Sequence, residues 1–258
     1  MDIIQLFILG ILEGFTEFLP ISSTAHLILA SRLFQLGGSE FMKSFTIAIQ
    51  LGAILAVVFL YAWRLVINPG IGKKTLVAFL PTAVVGFLLY KTIKGVLFES
   101  LFVIIISLFA GGIILIIFEL LFKEKETSAA SMKDITYTQA FMVGCAQSLA
   151  VIPGVSRAAA TIIGGMFAGI KRVAIVEFSF VLAVPTMAAA TGYDLFKNAG
   201  GFSASQFHLL AAGFVISFFA ALLGVKFLLN LIQRHSFIGF GIYRVIAALI
   251  FFLLLFYE

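Results

Sequence analysis

Charge is what this chain has least of. Of its 258 residues, 11% are Asp, Glu, Lys or Arg and 62% are hydrophobic, with a mean hydropathy of +1.17. Soluble domains carry about 25% charged and about 45–50% apolar residues, so a water-soluble domain is excluded and a polytopic helical membrane protein is expected. Cysteine is nearly absent: the lone Cys145 rules out an internal disulfide and reads as small buried packing. Met1-Asp2 lacks a basic n-region, so no cleavable signal is expected. No clustered Lys/Arg stripe accompanies the net charge of +5, which fits basic loops beside an anionic bilayer and not nucleic acid.

What is present is a polar sentence inside an apolar segment, Glu13-Gly-Phe-Thr-Glu17-Phe-Leu-Pro20-Ile-Ser22-Ser23-Thr24-Ala25-His26. Glu13 and Glu17 share a helix face, and Pro20 removes a backbone donor and breaks the ladder. A helix restarting at Ile21 or Ser22 would aim free N–H groups, its positive dipole end and three hydroxyls at one spot suited to phosphate. His26 lies three residues after Ser23 and four after Ser22, so its imidazole is expected to reach back to a hydroxyl. The plainer reading of the serines is helix capping. Ionisable groups within a membrane, each costing at least ~2.5 kcal/mol, read first as functional.

Along the chain, residues 3–19 and 22–35 are each short of the roughly 20 apolar residues a crossing needs. Together, at about 3–35, they read as a re-entrant hairpin with Pro20 at its tip. Three spans follow at about 41–63, 73–92 and 100–123, separated by Arg64 with Lys73-Lys74 and by Lys91, Lys94 and Glu99. Residues 124–136 form a polar linker. The order then recurs: a second hairpin at about 137–169, broken at Pro153-Gly154, and spans near 172–196, 206–232 and 238–257. Aligning Gly10 with Gly144 sets Glu13 on Gln147. Aligning Pro20 with Pro153, a one-residue slip, sets Ser23 on Ser156 and His26 on Ala159. Three spans per half force opposite orientations. The expected fold is thus all-α, an inverted-topology repeat of halves 1–123 and 137–258, each a re-entrant helical hairpin plus three transmembrane helices.

One face of this arrangement carries Arg64, Lys73, Lys74, Lys123, Lys125, Lys133, Lys171, Arg172 and Arg234; the other carries Arg32, Lys43, Lys91, Lys94 and Lys197. The positive-inside rule makes the first face cytoplasmic, with both termini and the mouth of the first hairpin extracytoplasmic.

The second break, Pro153-Gly154-Val155-Ser156-Arg157, adds a permanent cation whose planar fork matches phosphate. Glu177 and Gln50 are weaker candidates, His208 and His235 are read as interfacial, and the 30 Phe residues as lipid-facing and packing material. Carboxylates beside a phosphate point to a divalent metal, Mg²⁺ or Ca²⁺, held by Glu13 and Glu17 with substrate oxygens.

These residues resemble the two signature motifs of the undecaprenyl-diphosphatase family, also called bacitracin-resistance proteins. The resemblance runs the whole length, including Phe45-Thr-Ile-Ala-Ile-Gln-Leu-Gly52 and Glu177-Phe-Ser-Phe-Val-Leu-Ala-Val-Pro185. It implies a multi-pass enzyme of the bacterial inner membrane that takes a polyprenyl diphosphate lipid to its monophosphate, recycling the carrier for peptidoglycan synthesis. The site would face the periplasm, and a homodimer is an assembly it allows. By position, the acidic motif falls on Glu13 and Glu17, the hydroxyls on Ser22, Ser23 and Thr24, the His on His26, and the phosphate-binding residues on Gly154, Ser156 and Arg157. Two positions depart: Ala158-Ala159 replaces the family's Ser-Gly, and Ala25 its Gly before the His.

The expected mechanism sets Arg157 and the helix N-termini on the terminal phosphate, with Ser23 as nucleophile deprotonated by His26. A competing version has His26 attack or activate water. A polyprenyl-phosphate transporter using the same midplane site is the alternative function.

Overall fold

A computed structural model describes residues 1–36, 40–97, 100–124, 128–197 and 207–256. Lys125 and Glu99 fall outside the described residues, as do the side chains of Lys94 and Lys197.

Ten helices of 11 residues or more organise the described residues: α1 (Ile3–Thr16), α2 (Ser23–Leu33), α3 (Glu40–Ile67), α4 (Pro69–Leu88), α5 (Leu101–Leu121), α6 (Tyr137–Gln147), α7 (Arg157–Phe167), α8 (Arg172–Lys197), α9 (Phe207–Ile232) and α10 (Ile238–Phe256). Six of them, α3, α4, α5, α8, α9 and α10, are long and apolar enough to cross a bilayer. Large apolar side chains such as Phe59, Phe87, Leu121 and Phe196 point outward and exposed, as a lipid-facing surface requires and a soluble monomer does not tolerate in such number. The protein is an all-α polytopic membrane protein. Cys145 is exposed on this outer surface, which corrects its expected burial; on α6 the inward positions are taken by Ala140, Val143, Gly144 and Gln147.

The four short helices obey one local grammar at a constant offset of 134 residues. Asp2 and Thr136 each close a capping box with the Gln three residues on, Gln5 and Gln139. Helices α2 and α7 begin at Ser23 and Arg157 and end at Leu33 and Phe167. Ser22 and Ser156 are both N-caps, and both sit at positive φ, 71° and 75°. The turns after these helices also match, with Gln35 at φ 54° and Gly169 at φ 82°. At this offset, which differs from the Pro20–Pro153 alignment, Ser22 stands with Ser156, Ser23 with Arg157 and His26 with Ala160.

Packing is reciprocal between the halves. Helix α1 lies on α9 and α6 on α4; α3 lies on α9 and α8 on α4; α3 meets α8, and α5 meets α10. Small residues allow these approaches. A Cβ on Gly144 would strike the Ala78 carbonyl, and one on Gly14 the Ser217 carbonyl, so backbone meets backbone at both crossings. The main core gathers Phe18 of the first break with Phe178, Phe180 and Leu182 of α8 and Ala158 and Ile162 of α7. The Phe18 ring meets Phe180 edge-on at 5.6 Å.

Candidate active site

Each break leaves main-chain groups without helical partners, and burial requires that they be satisfied. Ser22 and Ser156 do part of this. Their hydroxyls accept from the amides of Ala25 at 3.4 Å and Ala159 at 3.2 Å, so for these two serines the capping role is the observed one. Capping in the left-handed region turns each following helix start inward.

Ser23 and Arg157, the first residues of the two restarted helices, then face one carboxylate. The Ser23 hydroxyl donates to Glu17 Oε2 at 2.5 Å, and Arg157 Nη2 lies 3.4 Å from Glu17 Oε1. The Arg157 guanidinium also donates to the Glu17 carbonyl at 3.5 Å, to the Ser179 carbonyl at 2.8 Å and to the Ser179 hydroxyl at 3.3 Å, with its Cζ 5.8 Å from the Phe18 ring centroid. Thr161 Oγ1 holds Ser179 Oγ at 2.7 Å. The two breaks therefore meet at a single point.

His26 is elsewhere engaged, which corrects the expected contact with a serine hydroxyl. Its Nδ1 lies 2.7 Å from the Ser22 carbonyl and its Nε2 2.8 Å from the Tyr243 hydroxyl, the two rings stacking at 5.6 Å. A carbonyl only accepts, so in the neutral ring Nδ1 carries the proton and Nε2 accepts from Tyr243. Both ring nitrogens are then used, and the Ser23 hydroxyl turns across the break to Glu17 instead.

Glu13 is completely buried, and neither of its carboxylate oxygens has a hydrogen-bond partner among the described residues. Nε of Arg157 is likewise unpartnered. Gln147, 134 residues on, donates from its Nε2 to Thr82 at 2.9 Å and Thr186 at 3.1 Å, while its Oε1 is buried without a partner among the described residues. The neutral Gln147 amide is thus held by two hydroxyls, while Glu13 places an unpartnered carboxylate in the same stretch as Glu17 and Ser23. Thr24 is half-buried in the first turn of α2. Gly154 sits at φ 98° against the Ile104 carbonyl of α5, and its own carbonyl accepts from Arg244. Glu177, read as a weaker candidate, pairs with Arg64 at 2.5 Å instead of entering the cluster. An apolar groove of about 790 Å³ opens beside Tyr243, walled by Phe15, Leu19 and Ile21 and by Leu231, Ile238 and Phe240.

Sequence reasoning missed Tyr243, Arg244 and Ser179. Arg244 carried a signal: it is a lone charge inside the last apolar run, the same pattern that singled out Arg157. Ser179 lay within the stretch Glu177–Pro185 without being singled out, and Tyr243 carried no signal.

Fold and site together define a polytopic membrane protein whose paired broken hairpins bring carboxylates, a hydroxyl and a guanidinium to one buried point. A family model described as "Bacitracin resistance protein BacA" matches residues 6–250, and the chain belongs to that family. It is 50% identical over 247 residues to an undecaprenyl-diphosphatase of Aquifex aeolicus, covering 96% of each chain. It is 48% identical over 253 residues to an undecaprenyl-diphosphatase of a Sulfurihydrogenibium species, covering 98% of this chain and 99% of that one. An undecaprenyl-diphosphatase of Methanococcus aeolicus is 40% identical over 250 residues, 97% of each chain.

Proposed function

We propose that this protein is a membrane phosphatase that hydrolyses undecaprenyl diphosphate to undecaprenyl phosphate and inorganic phosphate, and so recycles the carrier of cell-wall synthesis and confers bacitracin resistance. The observation that carries this reading is the Glu17 carboxylate shared between the Ser23 hydroxyl and the Arg157 guanidinium. A transporter needs no base against a hydroxyl.

In this mechanism Arg157 and the N–H groups opening α2 and α7 bind the terminal phosphate and take up the charge that develops on it. Ser23 Oγ attacks the phosphorus, its proton passes to Glu17 Oε2, and the bond to the bridging oxygen breaks with its electron pair leaving on undecaprenyl phosphate. Water then attacks the phosphoserine phosphorus, the bond to Ser23 Oγ breaks with Oγ taking back the proton from Glu17, and the remaining water proton leaves with inorganic phosphate. His26 holds the first turn of α2 through the Ser22 carbonyl. Thr24 and Ser156 border the phosphate. The apolar groove beside Tyr243 suits the isoprenoid chain nearest the headgroup.

The donor set fits a divalent cation of the Mg²⁺ or Ca²⁺ class. Glu13 presents two buried, unpartnered oxygens, and hard cations take carboxylate and phosphate oxygens together. Among the described residues no group of three or more His, Cys, Asp or Glu could cage a metal, so Glu13 and Glu17 would hold it jointly with the substrate. When bound it would neutralise phosphate charge.

We also read the two halves as an inverted repeat with re-entrant hairpins. The constant offset of 134 and the reciprocal packing of α1 on α9 and α6 on α4 support this. Charge asymmetry supports an extracytoplasmic site and extracytoplasmic termini. The test of function is phosphate release from undecaprenyl diphosphate by purified protein in detergent. Release that vanishes in Glu17→Gln and Arg157→Ala supports the reading; lipid binding without release would overturn it.

A further inference from the structure

Arg244 of α10 is fully buried, and among the described residues its guanidinium donates to main-chain carbonyls alone. Nε reaches Leu108 at 3.2 Å; Nη1 reaches Pro20 at 3.2 Å and Val155 at 3.0 Å; Nη2 reaches Ser107 at 3.2 Å and Gly154 at 2.8 Å. All five N–H donors of the side chain are used. Among the described residues no carboxylate pairs with it, so its charge is carried there by carbonyl dipoles, an arrangement that persists only when hydrogen bonding is complete.

The identity of those carbonyls gives the arrangement its meaning. Pro20 stands midway between Glu17 and Ser23, while Gly154 and Val155 immediately precede Ser156 and Arg157. One rigid, planar group therefore spans the break that carries Glu17 and Ser23 and the break that carries Arg157. It braces both against Ser107 and Leu108 of α5. The direct contacts between the breaks, from Arg157 to the Glu17 carboxylate at 3.4 Å and carbonyl at 3.5 Å, are longer than the bonds Arg244 makes to Pro20, Gly154 and Val155. Gly111 leaves room for the brace, since a Cβ there would strike the Arg244 guanidinium.

We infer that Arg244 is a positioning residue for phosphoryl transfer, setting the separation of Ser23 and Glu17 from Arg157 without touching the lipid. The inference rests on the diphosphatase reading. Misplacement of reacting groups by about 1 Å costs on the order of 10² in rate.

The experiment is steady-state phosphate release from undecaprenyl diphosphate by wild type, Arg244→Gln, Arg244→Lys and Gly111→Ala, with Arg244→Gln repeated on an Arg157→Lys background. Arg244→Gln is expected to lower kcat by about 10² with KM within twofold. Arg244→Lys, with three donors for five carbonyls, restores part of the rate, and Gly111→Ala, which displaces the guanidinium but keeps its charge, loses several-fold. On the Arg157→Lys background, Arg244→Gln should cost far less, because the group it positions is already gone. An equal loss in both backgrounds, or a wild-type kcat in Arg244→Lys and Gly111→Ala, would overturn the positioning role. These two variants carry the test if Arg244→Gln does not fold. No release by wild type would overturn the diphosphatase reading itself, and this inference with it.

Discussion

Ser23 donates its hydroxyl to Glu17 at 2.5 Å, across a helix break, while the other oxygen of the same carboxylate faces Arg157. The pairing makes Glu17 the base nearest the hydroxyl, and it separates two chemistries. If Ser23 attacks, the purified protein incubated with labelled lipid should yield an acid-stable phosphoprotein that is lost in Ser23→Ala. An acid-labile adduct would move the attack to His26. Glu17→Gln should lower kcat by about 10²–10⁴, the usual contribution of a positioned base.

Tyr243 bears on His26 through one hydrogen bond of 2.8 Å. Tyr243→Phe removes the donor and leaves a buried ring nitrogen unsatisfied, a cost of about 1–3 kcal/mol. The expected result is a lower unfolding temperature with kcat reduced by no more than about tenfold. A far larger loss of kcat at unchanged stability would give Tyr243 a part in the chemistry.

Glu13 differs from Glu17 in that its carboxylate oxygens have no hydrogen-bond partner among the described residues. Glu13→Gln should therefore leave folding intact and raise the Mg²⁺ or Ca²⁺ concentration needed for half-maximal phosphate release. Chelator should abolish release by wild type. Metal response identical to wild type in Glu13→Gln would remove this residue from the cation site.

The left-handed serine caps lead to an unusual order of substitutions. At Ser156, φ 75° strains any side chain, whereas glycine adopts it freely. Ser156→Ala loses the cap and keeps the strain, for about 1–2 kcal/mol, while Ser156→Gly should lose only a few tenths. Thermal unfolding in detergent should rank wild type and glycine together, with alanine clearly below.

The Arg64–Glu177 pair predicts a small effect. Arg64 is 53% exposed, and such pairs contribute about 0–1 kcal/mol. Arg64→Ala should keep kcat within twofold and shift unfolding only slightly; a silent enzyme would bring Glu177 back into the site.

The amino-acid sequence by itself determined what depends on neighbouring residues. The apolar runs marked the six crossing helices, because length and hydropathy alone decide which segments suit a bilayer. Pro20, Pro153 and the hydroxyl-rich restarts marked both breaks, and Glu13, Glu17, Ser23 and Arg157 stood out because charge is costly there. Even so, the positive backbone angles shared by the caps Ser22 and Ser156 were invisible in the sequence, where proline matching suggested a different spacing. Only the tertiary structure decided who faces whom. His26 and Ser23 lie three residues apart, yet His26 is taken by Tyr243, 217 residues away. Arg157 reaches back 140 residues to Glu17, and Arg244 reaches 224 to Pro20. Contacts at such separations follow from helix packing that small residues permit, and no local pattern encodes them.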